Sequence, residues 1–166
     1  VTVTPQKHGP SAIETNPLET LQTLQTALRE AKDINTLLST LVHALHRDGG
    51  FSRVALALLN PNNTDHLVGR LLLGVEEPAP YIDSLSGSLT KEHPHFLQLM
   101  KRSDAVWVED FTVPLGDPIN SKFLRTWNPG SAIIAPLRVG TRPIGMLYCD
   151  NGPLPRHVQQ KDYHAF

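Results

Sequence analysis

Two apolar runs on either side of a short glycine-bearing turn constrain the fold of this chain more than any other feature. The first run is 131–139 (SAIIAPLRV), the turn is 140–142 (GTR), and the second run is 143–148 (PIGMLY). This arrangement predicts a β-hairpin, whose strands are antiparallel, so a wholly parallel sheet is excluded. Pro136 cannot donate to a strand ladder, and it predicts an edge position or a bulge.

A second hairpin is predicted nearer the amino terminus. Residues 51–59 (FSRVALALL) and 66–75 (HLVGRLLLGV) are typical of strands, and the turn cluster Asn60-Pro61-Asn62-Asn63 between them indicates a loop of about five residues. The next segment, 76–87, contains two prolines and is predicted to be loop. Further along, the pattern indicates a short helix, a short strand, helical turns and the start of a closing helix, at 95–102, 105–108, 119–127 and 159–166.

The amino-terminal third is helical in pattern. Asn16-Pro17 is a favoured helix start, and Gly49-Gly50 a favoured stop. One interpretation is two amphipathic helices that pack on their own sheet. The other is a heptad seam, in which the first helix at least pairs with a second copy of the chain. The heptad positions would be Leu21, Leu28, Asn35 and Val42, with Leu24, Ala31, Leu38 and Leu45.

Length and element order predict one α+β domain. The 166 residues suit a single domain, with 1–16 as a linker and 17–166 as the domain, as part of a longer multidomain protein. Helices near the two ends and hairpin-joined strands between them indicate an antiparallel sheet covered by helices on one face. The irregular segment 76–130 is long for a loop that only connects two elements, so it is expected to cover the other face of the sheet and enclose a pocket.

Composition excludes several classes of function. With 15 basic and 16 acidic residues the net charge is −1, so no bulk positive field favours nucleic acid or an anionic membrane. The single cysteine, Cys149, excludes an internal disulfide, a zinc site built on several cysteines and a two-cysteine redox cycle. A lone cysteine and the lack of a signal sequence in this stretch favour a cytoplasmic location.

The carboxyl-terminal third carries a family resemblance. Residues 134–151 (IAPLRVGTRPIGMLYCDN) resemble the closing hairpin of GAF domains, and residues 34–45 with 50–56 (GFSRVAL) look like the family's opening helix and first strand. Residues 53–61 (RVALALLNP) and 69–71 (GRL) look most like the GAF-like domain of bacterial HDOD signalling proteins. The resemblance covers about 18–166.

The resemblance implies an antiparallel sheet of five or six strands. It also implies terminal helices on one face, which often dimerise, and loops and short helices on the other face, which form a lid over a small-molecule pocket. We therefore expect a non-catalytic sensor or signal-transduction domain that relays through its terminal helices. A homodimer is expected through the amino-terminal helix at Leu21, Leu24 and Leu28. The alternative is a structural or dimerisation domain of an HDOD-type regulator that binds no ligand.

The family's chemical signatures are incomplete here. Members that bind cyclic nucleotides carry an Asn-Lys, Phe and Asp-Glu pattern, whereas Asn120, Lys122 and Phe123 have no Asp-Glu pair after them. Members that bind bilins use a lid cysteine, and Cys149 ends a predicted strand instead. The member that reduces free methionine sulfoxide needs two thiols. No nucleophile elbow or phosphate-binding glycine loop is present, so no catalytic residue is assigned.

Histidines and aromatic residues are the remaining candidates. His43 with His46, and His93 with His95, are spaced as pairs, but surface or helix-end positions explain them better than a metal site. No cofactor can be named from the sequence. Mixed aromatic and charged side chains in the middle segment are typical of small-ligand sites, although core packing is the plainer alternative. The predicted ligand-binding residues are Trp127, Phe123, Asp110, Phe111 and Arg70.

Overall fold

The computed structural model describes residues 33–111 and 121–153. These residues form four helices and six strands. They are α1 (Ile34–Arg47), β1 (Arg53–Asn60), β2 (Asn63–Leu73), α2 (Ala79–Leu85), β3 (Gly87–Ser88), α3 (Pro94–Met100), β4 (Val106–Val108), α4 (Ser121–Trp127), β5 (Ala132–Val139) and β6 (Arg142–Asp150). The predicted linker 1–16, the predicted first helix after Pro17 and the predicted closing helix at 159–166 lie outside the described residues.

The strands form one six-stranded antiparallel sheet in the order β3-β2-β1-β6-β5-β4. The two predicted hairpins are the pairs β1–β2 and β5–β6, and the sheet is completed in its centre by β1 pairing with β6. In that central pair Arg53 is opposite Asp150, and Leu58 is opposite Gly145. The α+β fold with an antiparallel sheet of six strands is confirmed.

Both hairpin loops are tighter than the sequence predicts. The five-residue loop expected after β1 is wrong, because β2 already begins at Asn63 and leaves two residues between the strands. The side chain of Asn60 accepts a hydrogen bond from the backbone N–H of Asn62 at 2.9 Å, which stabilises the turn locally. At the other hairpin, Gly140 adopts a φ of 60°, a conformation that glycine reaches without a steric penalty.

Pro136 lies in an edge position of the sheet, as predicted. Strand β4 pairs only with Ala132–Ile134 of β5, so the remainder of β5 has no described strand on that side. The register against β6 also shifts between Leu137 and Arg138. A proline is tolerated at this position because no described neighbouring strand on that side requires a hydrogen bond from its backbone nitrogen.

Helix α1 covers one face of the sheet. Asp33 starts it, since its carboxylate accepts hydrogen bonds from the backbone N–H groups of Asn35 and Thr36 at 3.1 and 3.3 Å. The apolar stripe of α1 is buried against the sheet, whereas Asn35 is exposed. Packing on its own sheet is therefore the correct interpretation for this helix. The buried stripe is Leu38, Leu41, Val42 and Leu45.

Helices α2, α3 and α4 lie on the opposite face and form the lid. The loop predicted for 76–87 is wrong, since Ala79–Leu85 is helical. The two prolines that suggested a loop fit the helix start instead: Pro78 is the cap residue and Pro80 lies in the first turn, where no backbone N–H is needed. Helices α3 and α4 are close to the predicted short helices.

Candidate functional site

Aromatic side chains fill the space between the lid and the sheet. Trp127 and Phe123 of α4 stack with ring centroids 5.6 Å apart, and Tyr148 of β6 lies 4.7 Å from Trp127 and 5.7 Å from Phe123. Phe96 of α3 meets Phe123 edge-on at 5.3 Å, and Phe111 lies 6.0 Å from Phe123. All five rings are buried. The lid is thus closed by the chain's own side chains.

The sequence places these rings by two simple periodicities. Phe123 and Trp127 are four residues apart on α4, so they project from the same face of that helix. On β6, Met146, Tyr148 and Asp150 alternate with Leu147 and Cys149, so the first set faces the lid and the second faces α1.

A buried ion pair lies beside the aromatic cluster. Arg53 Nε donates to Asp150 Oδ1 at 2.7 Å, and Arg53 Nη2 donates to Asp150 Oδ2 at 2.5 Å. Tyr148 Oη donates to Asp150 Oδ2 at 2.7 Å, and the backbone N–H of Gly152 donates to Oδ1 at 2.9 Å. Four donors therefore satisfy one carboxylate, as a buried charge requires.

The same arginine holds the lid. Arg53 Nη2 also donates to the backbone carbonyl of Trp127 at 2.9 Å, and the guanidinium lies 5.0 Å from the centroid of the Trp127 ring. Trp127 Nε1 donates to Ser84 Oγ of α2 at 2.9 Å, and Tyr81 meets the Trp127 ring edge-on at 5.2 Å. We call Arg53, Asp150, Tyr148 and Trp127 the junction. It ties the first strand, the last strand and the lid together.

The junction has a defined protonation state. Burial by itself lowers the pKa of Arg53, but its hydrogen bond to Asp150 and the charge of that carboxylate more than offset this, and the pKa is raised overall. Burial, reinforced by the adjacent Asp150 charge, raises the pKa of Tyr148 well above its usual range. Arg53 is therefore a cation and Tyr148 a neutral phenol at physiological pH.

The predicted ligand-binding residues occupy two different environments. Trp127, Phe123 and Phe111 are buried in the aromatic cluster, while Asp110 and Arg70 are exposed. Arg70 is the extra residue of a β-bulge, since the register between β1 and β2 skips it. The structure brings the three aromatics together and leaves the two charged residues outside; their role in ligand binding stays a prediction.

Sequence reasoning missed the junction. The sequence patterns do not pair Arg53 with Asp150, whereas in the structure Arg53 is only 4% exposed and is ion-paired with that residue. Arg53 opens an apolar strand and Asp150 closes one, and the antiparallel pairing of these two strands brings the two residues together. The register that pairs them is visible only in the fold.

Two histidines of the lid lie at a helix start, which is one of the two expected positions, but they are buried and not at the surface. His93 and His95 flank Pro94 at the start of α3, and both rings contact Phe96. His93 Nε2 is 3.3 Å from the carbonyl of Ser86, whereas neither ring nitrogen of His95 has a hydrogen-bond partner among the residues that the structure describes. Within residues 33–111 and 121–153, no three His, Cys, Asp or Glu side chains are grouped to hold a metal ion.

Acid should destabilise the domain through these histidines. Burial lowers the pKa of His95 from 6.5 to about 4, and burial also lowers that of His93. The unfolded chain therefore binds more protons than the folded one between those values, so stability is complete above pH 6.5 and falls towards pH 4. The expected loss from His95 is roughly 3 kcal/mol, measured by urea unfolding at several pH values.

The charged neighbours of these histidines are few. Glu92 raises and His66 and Lys122 lower the pKa of His93, each less than burial does. His95→Gln should reduce the dependence of the unfolding free energy on pH in the upper part of the range, above the pH at which carboxylates titrate. His43→Gln, on the exposed side of α1, should not have this effect. An unchanged profile in His95→Gln would contradict this account.

Cys149 is sealed inside the sheet. It faces the α1 side, is 1% exposed, and burial raises the pKa of its thiol. A thiol held in this way is a poor nucleophile. We expect an aromatic disulfide reagent to modify Cys149 at least about 100-fold more slowly in the folded domain than in urea, because reaction must wait for opening of the sheet. Rapid modification of the folded domain would show that the sheet is open here.

A groove lies next to the junction, where the chain enters and leaves the sheet. Its volume is about 500 Å³. Arg53 and Tyr81 line it, together with the exposed residues Glu76, Glu77 and Pro153. Since the Arg53 guanidinium is already paired with Asp150, the groove offers acidic side chains rather than a free cation.

The fold and the site define an α+β domain with a closed aromatic lid and a buried ion pair, rather than a constellation of reactive groups. The chain belongs to the GAF domain family, whose family model matches residues 33–165. Comparison with curated proteins finds no match. No helix among the described residues is long and apolar enough to cross a membrane.

Solved structures share this fold at low sequence identity. A methyl-accepting chemotaxis protein (residues 122 to 287) is 18% identical with a TM-score of 0.64, covering 85% of this chain and 86% of its own. A free methionine-R-sulfoxide reductase from Neisseria meningitidis is 17% identical with a TM-score of 0.59 (97% and 87% covered). A GAF domain/HD domain protein from Geobacter sulfurreducens is 13% identical with a TM-score of 0.52 (91% and 84% covered). At these identities the likeness shows the fold alone.

Proposed function

We propose that this GAF domain is a non-catalytic signal-transduction module, which binds a small molecule or a protein partner and passes the change to the chain segments at its two ends. The observation that carries the proposal is the junction. Arg53 lies six residues after the end of α1, and Asp150 lies three residues before Pro153. The Arg53 side chain, which bonds the lid backbone at Trp127, therefore also joins the first strand along the chain to the last one.

Such a contact resists gradual distortion. If α4 shifts away from the sheet, Arg53 loses the Trp127 carbonyl, and its remaining partner is the Asp150 carboxylate. Buried charges tolerate loss of partners poorly, so a lid displacement favours a discrete rearrangement at the chain ends. A ligand that binds one lid position better than the other shifts the populations of the two lid positions, and with them the arrangement of the chain ends.

Several features support a role without catalysis. Cys149 is the single cysteine of the chain and is sealed in the sheet, so the thiol chemistry of a reductase has no accessible nucleophile. The aromatic rings under the lid carry no nucleophile, and Tyr148 is held neutral by burial. The structurally similar chemotaxis protein and GAF domain/HD domain protein are consistent with a regulatory role.

Hydrogen exchange tests the relay. Phe123→Leu should loosen the lid, and Ile133→Ala, on the α1 face at the same end of the sheet, serves as a control of comparable burial. The backbone N–H of Gly152 donates a hydrogen bond to the Asp150 carboxylate. After correction for global stability, the hydrogen-exchange rate of this amide should rise about tenfold more in Phe123→Leu than in the control. Equal changes in both variants would refute the coupling.

We propose further that the domain works as a homodimer through the amino-terminal helix, in a cytoplasmic bacterial protein with an HDOD-type output domain. The support is the Leu21, Leu24 and Leu28 spacing and the resemblance of 53–61 and 69–71 to that group. Light scattering is the test. Leu24→Asp should convert a dimer to a monomer, Gln25→Asp should leave a dimer, and a monomeric parent would refute the seam.

The filled lid favours a second candidate, a structural domain that binds no ligand. Five buried rings occupy the space that a ligand would need under the lid. Native mass spectrometry of the domain purified from cell extract separates the candidates. A retained small molecule, or a thermal shift with any nucleotide or metabolite, supports the sensor; a bare domain that shifts with none supports the structural role.

A further inference from the structure

A second groove lies at the opposite end of the sheet from the junction. It has a volume of about 590 Å³ and runs between the tips of the two hairpins and the carboxyl-terminal half of α3. Leu59 and Ile144 supply apolar walls from the sheet, and Leu97 and Met100 supply them from α3. This volume falls within the range of small-molecule sites, and the groove does not overlap the aromatic cluster.

The polar part of this groove is cationic. Lys101, Arg138 and Arg142 all line it, and no acidic side chain is among the described residues that do. The chain as a whole has a net charge of −1, so the cluster does not reflect a general excess of basic residues. Apolar walls with basic groups at one place are complementary to an anion with an apolar body.

Arg138 is fixed in place, and the other two cations are available. Arg138 Nη1 donates to the carbonyl of Thr141 at 2.7 Å, and Nη2 donates to the carbonyls of Met100 and Arg102 at 2.8 and 3.2 Å. Arg138 thereby caps the end of α3 and bridges it to the β5–β6 turn, while its Nε is buried with no hydrogen-bond partner in the described part of the chain.

Lys101 and Arg142 are exposed at the same groove. Neither side chain makes an ion pair or hydrogen bond with any residue in 33–111 or 121–153. The two side chains come from different elements, since Lys101 follows α3 and Arg142 begins β6. An anionic group held between them would join the lid to the sheet at the hairpin tips.

We propose that this groove is a binding site for an amphipathic carboxylate, with the carboxylate held by Lys101 and Arg142 and an apolar body lying on Leu97, Met100 and Ile144. The inference deepens the proposed function, since it names a ligand class and a site for it. Binding here is measured directly, so it can fail while the relay between lid and chain ends holds, and the relay can fail while binding here holds.

A series of ten-carbon probes with different head groups tests the site by calorimetry on the domain. Decanoate should bind with a Kd below about 1 mM, while decanol and decyltrimethylammonium should bind at least about tenfold more weakly. Lys101→Gln/Arg142→Gln should weaken decanoate binding at least about tenfold. Arg47→Gln, an exposed cation at the end of α1, should leave it unchanged.

A second variant examines the apolar wall. Leu97→Asp puts a negative charge into the apolar wall, where it disfavours the apolar chain of decanoate and repels its carboxylate. The variant should therefore not bind decanoate, and circular dichroism should show that the domain is folded. Three results would each overturn the proposal: no decanoate binding, equal binding of decanol, or decanoate binding that the double variant leaves intact. Decyl phosphate bound in preference to decanoate would replace the carboxylate with a phosphate ester as the ligand class.

Discussion

Asp150→Asn should cost the domain about 3–5 kcal/mol of unfolding free energy, because it leaves the Arg53 cation buried without its counter-charge. The substitution keeps the shape of the side chain but turns one of its two acceptor oxygens into a donor. Arg53, Tyr148 and Gly152 all donate to this carboxylate, so at least one of these bonds is lost as well. Urea unfolding of the variant and the parent measures the difference.

An exposed ion pair provides the matched control. Asp48 pairs with Arg47 at 3.1 Å, but these side chains are 45% and 76% exposed. Asp48→Asn should therefore cost less than about 1 kcal/mol. A similar small loss in Asp150→Asn would show that water reaches the junction and that the pair is not buried in solution.

A double variant separates charge from packing. Arg53→Met/Asp150→Asn removes both charges, so its loss should be smaller than the sum of the two single losses, with the difference reporting the coupling between the pair. Additive losses would mean that the two side chains act independently, contrary to their 2.5 and 2.7 Å contacts.

The predictable parts of this fold are those that local sequence determines. The hairpin around Gly140 could be recognised because its two apolar runs and its turn lie within eighteen residues of one another. Helix α1 likewise has its cap, Asp33, and its buried stripe in one short segment. Where local signals conflicted, prediction failed: the prolines 78 and 80 indicated a loop, although both positions suit a helix start.

The junction was beyond local reasoning. Arg53 and Asp150 are 97 residues apart, and they meet only because β1 and β6 pair in the centre of the sheet. A polar residue at the end of an apolar strand is ordinarily exposed, so neither residue is unusual in the sequence. The same applies to His93 and His95, whose burial depends on the packing of α3 on the lid side of the core.

Trp127→Ala should produce the other large loss, also about 3–5 kcal/mol, since it removes the largest fully buried side chain and leaves a cavity. The loss is one of packing. Ser84, which accepts the indole N–H, still donates its own hydroxyl to the carbonyl of Tyr81, so no buried polar group is stranded. Trp107→Ala, at a half-buried ring on β4, should cost less and serves as the control.

Indole distinguishes an open cavity from a collapsed lid in the Trp127→Ala variant. If Phe123 and Tyr148 keep their positions on α4 and β6, the cavity stays apolar and indole should fill it, raising the melting temperature of the variant but not that of the parent. No effect of indole would mean that α4 moves onto the sheet. Arg53 would then lose its fixed distance to the Trp127 carbonyl, and the junction would have to rearrange with the lid.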